Sequence, residues 1–295
     1  MNITNLVFEG GGVKGIAFCG AIHVLEQNDM LKNITHIIGS SAGAICAGLL
    51  ALKYTASEIE KIMKELDMKR LTDDSFGFIR DLYRLFYHYG IYRGDAFIDW
   101  YGKLIEQKTG NKNFTFKQVY ETYHIDLTIT GTCLNKQQTS YFNYITTPDL
   151  PIVNAVRISM SIPGVFAAVK MGDCIYVDGG VLNNYPINYY DNIENTLGFK
   201  LIDKTDNCCS ENNIMYDDFS KVDGIKDFIT LTISSMMREI ERSHVRENYW
   251  NHTICIDCFG VSCTDFSISE DKKLKLIQNG HNETQKWIDA NILIK

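Results

Sequence analysis

The first 55 residues repeat one order of elements twice: a short apolar segment, a run rich in glycine, and an apolar segment with helical spacing. The first copy covers residues 3–25 and contains Gly10, Gly11 and Gly12. The second covers residues 35–54 and contains the glycine turn at residues 39–43. Parallel strands require crossover connections, which are usually helices. The repeated order therefore predicts an α/β fold with a mainly parallel sheet covered by helices.

The rest of the chain continues this alternation of helical and extended patterns. Periodicity predicts helices at residues 55–66, 95–109, 149–160 and 224–249 and a final helix, and strands at 125–134, 139–146, 196–202 and 253–259. Thr55 and Glu58 have capping-box spacing, and Asp149 is expected to cap its helix. Residues 165–177 predict a hairpin that turns at Gly172 and Asp173.

No shift in composition and no internal repeat divides the chain. We therefore expect a single domain over residues 1–295, with a helical, aromatic-rich cap region at about 67–110. Seven large apolar or aromatic residues lie close together in this region: Phe76, Phe78, Leu82, Tyr83, Phe86, Tyr87 and Tyr92. They fit either a lid that contacts lipid or a packed cover over the sheet.

Charge and cysteine content restrict the partners and the compartment. A formal charge of −7 argues against a general nucleic-acid binder, which needs clustered Lys and Arg. The 9 cysteines are an odd number without framework spacing, which favours reduced thiols and a cytoplasmic location. No signal peptide is recognisable, and the longest uncharged stretch, residues 37–52, is too short to span a membrane.

The second glycine turn reads Gly39-Ser40-Ser41-Ala42-Gly43, a Gly-x-Ser-x-Gly pattern between a predicted strand and a predicted helix. Such a turn must be sharp, and its flanking glycines avoid a steric clash around a strained central residue. Ser41 would then lie at a helix N-terminus, where a developing negative charge is stabilised. The pattern fits a nucleophilic serine, and it also fits a glycine-rich turn with a capping serine.

The first glycine run, Gly10-Gly11-Gly12-Val13-Lys14-Gly15, also lies between a strand and a helix. Consecutive glycines leave backbone N–H groups open to an anion, such as the oxyanion of an acyl-transfer intermediate. Lys14 would add positive charge there or lie solvated on the helix surface. The run also matches the dinucleotide fingerprint Gly-x-Gly-x-x-Gly. A nucleotide-binding module is disfavoured, because the next strand ends in the serine turn rather than in an acidic residue.

A serine nucleophile needs a base, and the sequence offers two kinds. None of the 7 histidines lies in a recognisable motif. Asp178, in contrast, ends a predicted strand and is followed by Gly179 and Gly180, which allow close backbone approach. Burial would raise the pKa of its carboxyl and make it a better base. The same letters also fit an ordinary Asp-Gly turn.

Taken in order, the glycine run, the serine turn and Asp-Gly-Gly resemble the patatin-like phospholipase family. The resemblance includes residues 157–166 (Arg-Ile-Ser-Met-Ser-Ile-Pro-Gly-Val-Phe), which are similar to the family's block before the aspartate. It covers residues 3–199 and is faint afterwards.

This resemblance implies a three-layer α/β/α sandwich and a Ser41–Asp178 dyad without histidine. It implies an oxyanion hole formed by Gly10, Gly11 and Gly12. It also implies hydrolysis of phospholipids or related glycerolipids through an acyl-enzyme, with transient contact at the membrane surface and no metal or other cofactor.

Three alternatives bear on this interpretation. An α/β-hydrolase with a Ser-Asp-His triad is disfavoured because its glycine nest follows a later strand. A family member that binds lipid without turnover is disfavoured because all three motifs are intact. A zinc site at His252, Cys255, Cys258 and Cys263 is disfavoured because residues 253–259 alternate like a strand and no second ligand pair has the expected spacing.

Overall fold

The computed structural model describes residues 2–66, 89–203 and 247–292, together with residues 87, 231, 232 and 235. Within them the strands are β1 (Asn5–Phe8), β2 (His36–Gly39), β3 (Gly90–Tyr92), β4 (Asp126–Cys133), β5 (Gln138–Phe142), β6 (Gly164–Phe166), β7 (Val169–Met171), β8 (Cys174–Asp178), β9 (Thr196–Ile202) and β10 (Thr253–Asp257). The α-helices are α1 (Ala17–Gln27), α2 (Ala42–Ala51), α3 (Ala56–Glu65), α4 (Asp95–Thr109), α5 (Phe116–Tyr123), α6 (Ile152–Ser159), α7 (Gly180–Asn183) and α8 (Glu270–Ile292). Short 3₁₀ helices lie at Gly12–Ile16, Met30–Asn33, Ile187–Tyr189, Ile193–Asn195 and Glu247–His252.

A sheet of eight strands forms the centre of the fold, in the order β10-β9-β1-β2-β4-β8-β7, with β5 also paired to β4. The five strands from β10 to β4 are parallel, whereas β5 and β8 each pair with β4 in the antiparallel sense, on opposite sides of it, and β7 pairs antiparallel with β8. A separate pair, β3 and β6, is parallel. The predicted α/β fold with a mainly parallel sheet is confirmed.

The larger part of the core lies on one face of the sheet, under the long helices. Phe8 stacks on Phe199 of β9 with ring centroids 5.1 Å apart and meets Phe18 of α1 at 5.3 Å. Helices α1 and α8 pack so closely that a Cβ at Gly20 would lie 1.9 Å from the carbonyl oxygen of Ile277. This close packing ties the last helix to the first and closes the apolar layer.

The opposite face of the sheet carries a smaller cluster. Val7 and Ile38 alternate with the residues that face the helices, and they are covered by Tyr185 and Ile187. Since successive strand residues point to opposite faces, these short strands are apolar on both sides. This explains why the segments read as continuous apolar runs.

Local predictions have mixed outcomes. The capping box of Thr55 and Glu58 is present, and Gly172 has the positive φ of 59° that the β7–β8 turn needs. The predicted cap at Asp149 is wrong, because α6 starts after Pro151 without a side-chain cap. The N–H of Ile152 instead donates to the carbonyl of Phe114, so the helix start is satisfied by backbone.

Two predictions fall largely or wholly on residues that the structure does not describe. Most of the aromatic segment at 76–92 and most of the predicted helix at 224–249 lie outside the described residues. Of the aromatics, Tyr92 packs against Phe166 with ring centroids 5.9 Å apart. Across the described ranges, no helix combines the length and the apolar character needed to cross a bilayer.

Candidate active site

Ser41 lies in the sharp turn between β2 and α2, in a backbone conformation that few L-residues adopt. Its φ is 48° and its ψ is −119°. Such a conformation costs of the order of 1–3 kcal/mol and persists only where the surroundings enforce it. They do so here by close packing, since a Cβ at Gly43 would lie 2.4 Å from the carbonyl oxygen of Phe8. The serine is thereby fixed at the carboxyl end of the sheet, with its side chain at the N-terminus of α2.

Asp178 reaches the same edge from the opposite direction, at the end of antiparallel strand β8. Gly39 pairs with Ile129 of β4, and Asp178 pairs with Gly131, two residues further along β4. Ser41 follows Gly39 by the same two residues. The turn and the aspartate therefore lie at one level of the sheet and on the same side of β4, since β5 pairs with both Ile129 and Gly131 along the other side.

The two side chains are joined by a hydrogen bond. Ser41 Oγ donates to Asp178 Oδ2 at 2.7 Å, and the N–H of Gly180 donates to Asp178 Oδ1 at 2.7 Å. Both residues are buried, with 6% and 2% of their surface exposed. Burial raises the pKa of the Asp178 carboxyl from 3.8 to about 7, although the bonds from Ser41 and Gly180 act to lower it. Near neutral pH this carboxyl can therefore both accept and return a proton.

The last turn of α6 and the segment that follows it hold both residues through short contacts. The hydroxyl of Ser159 accepts the N–H of Ser41 at 2.9 Å, and the carbonyl of Ser161 accepts the N–H of Asp178 at 2.9 Å. Arg157, buried in the same segment, donates to Ser161 Oγ and to the carbonyls of Arg93 and Ala167. A single stretch of chain thus sets the spacing of the hydroxyl and the carboxyl.

The glycine run passes directly beside the serine. A Cβ at Gly10 would lie 3.0 Å from Ser41 Cβ, and Gly12 has a φ of 55°. The N–H of Gly10 donates to the backbone carbonyl of Asn184 at 3.0 Å. The N–H groups of Gly11 and Gly12 donate no hydrogen bond within the described ranges. Two backbone donors of the glycine run are therefore without an acceptor among the described residues, directly after the glycine that lies beside Ser41.

The other residues of the predicted motifs contribute an ion pair and close packing around Ser41 and Asp178. Lys14 pairs with Asp203, its Nζ lying 2.9 Å from Oδ2. Burial lowers the pKa of Lys14, but the pairing outweighs this and the net change is upward. Gly15 lies against Ala42, where an added Cβ would meet the Ala42 Cβ at 2.7 Å. At Gly179 an added Cβ would lie 2.1 Å from Thr130 Oγ1.

Comparisons with known proteins place this arrangement in a family. The family model described as Patatin-like phospholipase matches residues 6–190. The chain belongs to the patatin-like phospholipase family. An uncharacterized protein of Acanthamoeba polyphaga mimivirus is 31% identical over 294 residues, which are 97% of this chain and 94% of that protein.

Two further relatives extend the comparison. A protein of Invertebrate iridescent virus 6 named "Probable lipid hydrolase" is 31% identical over 186 residues, 62% of this chain and 61% of its own length. The crystal structure of VipD from Legionella pneumophila has a similar fold, with a TM-score of 0.65 at 19% identity. That match covers 98% of this chain and 67% of VipD. Membership of the family makes this chain a lipid acyl hydrolase by class.

The patatin-like site contains no histidine in contact with the dyad, among the residues that the structure describes. His23 binds Glu60 at 2.6 Å, and His36 contacts Thr35 Oγ1 at 2.8 Å. His124 ends α5, and neither His252 nor His281 is bonded to Ser41 or Asp178. Over the same described ranges, no three His, Cys, Asp or Glu side chains are grouped as a metal site.

Sequence reasoning missed several residues of this patatin-like site. Ser159 lies in the block at 157–166 that carried the resemblance, but no role was assigned to it. Glu9 and Lys200 form a buried ion pair at 2.7 Å behind the glycine run. An acidic residue at the end of a buried strand, directly before three glycines, was the available signal for Glu9. Asn184 had no such signal beyond its place just after Asp-Gly-Gly.

Replacing Ser159 with alanine is expected to destabilise the fold by about 1–3 kcal/mol, because the buried N–H of Ser41 loses its acceptor. Turnover should also fall, since the strained serine turn is held less firmly. Urea unfolding and kcat measured on the same preparations test this. A Ser159→Ala protein as stable and as active as wild type would contradict the proposed role of this hydroxyl.

Proposed function

We propose that this protein is a phospholipase A-type lipid acyl hydrolase in which Ser41 is the nucleophile and Asp178 is its base. The observation that carries the proposal is the 2.7 Å hydrogen bond from Ser41 Oγ to Asp178 Oδ2. A serine hydroxyl becomes a competent nucleophile when a positioned base takes its proton. A buried carboxyl with a pKa of about 7 suits that task near neutral pH.

Acylation follows from the geometry. Ser41 Oγ attacks the ester carbonyl carbon as its proton passes to Asp178 Oδ2, and the carbonyl oxygen becomes an oxyanion. We assign its stabilisation to the N–H groups of Gly11 and Gly12, since the N–H of Gly10 is directed to Asn184. The positive end of α2 adds to that stabilisation. Asp178 then returns the proton to the leaving alcohol, which leaves an acyl-Ser41 ester.

Deacylation repeats the same steps with water. Asp178 accepts a proton from the attacking water, and the fatty acid leaves as Ser41 regains its proton. Both half-reactions use only the lipid ester, water, and the side chains and backbone N–H groups of this protein.

The substrate class, the membrane contact, the location and the domain organisation are also proposed. We propose phospholipids or related glycerolipids as substrates, supported by the family and by the viral relative's name, "Probable lipid hydrolase". We propose transient contact with membranes, because the proposed substrates are membrane lipids. We propose no contact with nucleic acid, because a chain with a net charge of −7 lacks the excess of Lys and Arg that a nucleic-acid backbone requires. We further propose a cytoplasmic location, because the nine cysteines of the chain are an odd number without framework spacing. We propose a single domain, because one sheet joins β1 to β10.

Product analysis on phosphatidylcholine vesicles tests the proposal. We expect fatty acid and lysophospholipid in equal amounts, without release of phosphate or of the head group. With methanol present, part of the acyl group should appear as methyl ester, because the acyl-enzyme partitions between water and the alcohol. Release of a phosphorylated head group, or no hydrolysis of any carboxylic ester, would contradict the proposal.

A further inference from the structure

We propose that Asn184 is a positioning residue that aims the N–H of Gly11 at the oxyanion, through the bond from its side chain to the carbonyl of Gly10. This inference rests on the proposed acyl hydrolase function. Asn184 follows directly after α7 and lies six residues beyond Asp178. It therefore connects the part of the chain that carries the base to the glycine run that receives the oxyanion.

Asn184 contacts Gly10 on both sides. Its backbone oxygen accepts the N–H of Gly10 at 3.0 Å, and its Nδ2 donates to the carbonyl oxygen of Gly10 at 3.1 Å. Its Oδ1 occupies the space beside the Gly10 Cα, since a Cβ there would lie 2.2 Å from that oxygen. Gly10 is thus bound through both of its backbone groups and packed against the side chain as well.

The bond from Asn184 Nδ2 to the carbonyl of Gly10 also sets the direction of the Gly11 N–H. The carbonyl of Gly10 and the N–H of Gly11 belong to one peptide unit, which is planar and trans. In such a unit the C=O and N–H bonds point in opposite directions. When Asn184 Nδ2 fixes the Gly10 carbonyl, it also directs the Gly11 N–H to the other side, where that N–H has no partner among the described residues.

A buried ion pair holds the asparagine side chain in this orientation. Glu9 Oε1 lies 3.5 Å from Asn184 Nδ2 and 2.7 Å from Lys200 Nζ. The second carboxylate oxygen of Glu9 accepts the N–H of Leu201 in β9. Glu9 is 2% exposed. Because a buried carboxylate is held firmly by such partners, it offers Nδ2 a fixed acceptor and excludes the flipped amide.

The neighbouring Asn183 provides a matched control. It is the last residue of α7 and directly precedes Asn184. It is also half-buried, and its Nδ2 donates to Tyr141 Oη at 3.1 Å and to Asn188 Oδ1 at 3.4 Å. Among the described residues, its side chain has no hydrogen bond to the glycine run. Substitution there removes an asparagine side chain of equal size and similar exposure without affecting Gly10.

The experiment compares Asn184→Ala and Asn184→Ser with Asn183→Ala on a soluble ester substrate. Both substitutions at 184 keep the backbone oxygen that binds the Gly10 N–H and remove only the side-chain amide. We expect kcat to fall by at least about ten-fold. The fall should not exceed the roughly 10²- to 10³-fold loss that follows complete removal of one oxyanion donor. KM should change by less than about two-fold, because the loss arises only in the transition state. Asn183→Ala should match wild type in both constants.

Two readouts separate positioning from a general loss of structure. The inhibition constant of a trifluoromethyl ketone, whose hemiketal carries an oxyanion, should rise by the same factor as kcat/KM falls. The midpoint of the pH–rate profile should stay where it is in wild type, because the bonds of Asp178 are unchanged. Both effects are expected in protein whose melting temperature stays within a few degrees of wild type.

Three results would overturn the inference. The first is unchanged kcat in both Asn184 variants while wild type is active. The second is a fall in kcat without any loss of ketone affinity. The third is a fall in kcat matched by an equal loss of folded protein in both variants. If wild type neither hydrolyses esters nor reacts with a fluorophosphonate, the proposed function itself fails, and this inference fails with it.

Discussion

Ser41→Ala is expected to lower kcat by roughly 10⁴- to 10⁶-fold, as removal of the nucleophile does in serine hydrolases. The hydroxyl that donates to Asp178 is absent in this variant, so no acyl-enzyme can form. A fluorophosphonate probe should label the wild-type protein on one tryptic peptide, at Ser41, and should leave the variant unlabelled. Labelling and turnover measured on the same preparation test the prediction.

The adjacent serine is the control for this experiment. Ser40 is fully buried, and its Oγ has no hydrogen-bond partner among the described residues. Ser40→Ala should therefore keep both labelling and turnover, and it should not lower stability. Labelling that persists in Ser41→Ala, or that disappears in Ser40→Ala, would place the nucleophile elsewhere.

Asp178→Asn should separate activity from stability, with opposite effects on the two. Turnover is expected to fall by about 10³- to 10⁴-fold because the base is lost. The amide can still serve both neighbours, since its oxygen accepts the N–H of Gly180 and its nitrogen donates to Ser41 Oγ. The site should therefore keep its shape without its proton acceptor.

The stability effect depends on pH, and its sign follows from the raised pKa of Asp178. The carboxyl titrates near 3.8 when exposed and at about 7 in the folded protein, so between these values the folded state binds the extra proton. Stability is then highest at the acid end of this window and is lost as the pH rises through about 7. A tenfold change in proton affinity corresponds to about 1.4 kcal/mol, so the full loss is about 4 kcal/mol.

The asparagine variant carries no such ionisation. At pH 8 it should melt several degrees above wild type, and the difference should shrink as the pH falls, until the two melting temperatures converge near the unfolded-state pKa of 3.8. Over the same range, kcat/KM of wild type should rise with pH to a plateau above about 7, as Asp178 loses its proton. Equal melting temperatures at pH 8, together with a flat pH–rate profile, would argue against a buried titrating base.

Much of the fold was accessible from the sequence because its central elements are locally encoded. The apolar run, glycine turn and helix of residues 3–25 and 35–54 predicted the parallel pair β1 and β2 correctly. The capping box at Thr55 set the start of α3, as expected. The start of α6 was not accessible, because Pro151 and the distant carbonyl of Phe114 define it rather than a nearby side chain.

The sequence predicted the glycine-bearing parts of the site but not the side chains that hold them in place. Glycine spacing indicated the serine turn, the nest and the Asp-Gly-Gly strand end, since each needs backbone without side chains at fixed positions. Ser159 and Asn184 were not recognised, because each acts through contacts with residues more than 100 positions away. The pairing of Asp178 with Gly131 likewise depends on strand register, which the apolar pattern alone does not determine.

The position of β8 in the sheet affects how this protein is expected to lose activity. The hydroxyl belongs to a turn anchored among central parallel strands, whereas the carboxyl is carried by the outermost hairpin, where β7 is the last strand in the order. Margins of a sheet open more readily than its interior. Fraying of this hairpin alone would separate the two halves of the dyad while the remaining strands stay assembled. We therefore expect activity to be lost and regained as the β7–β8 hairpin opens and closes, without global unfolding.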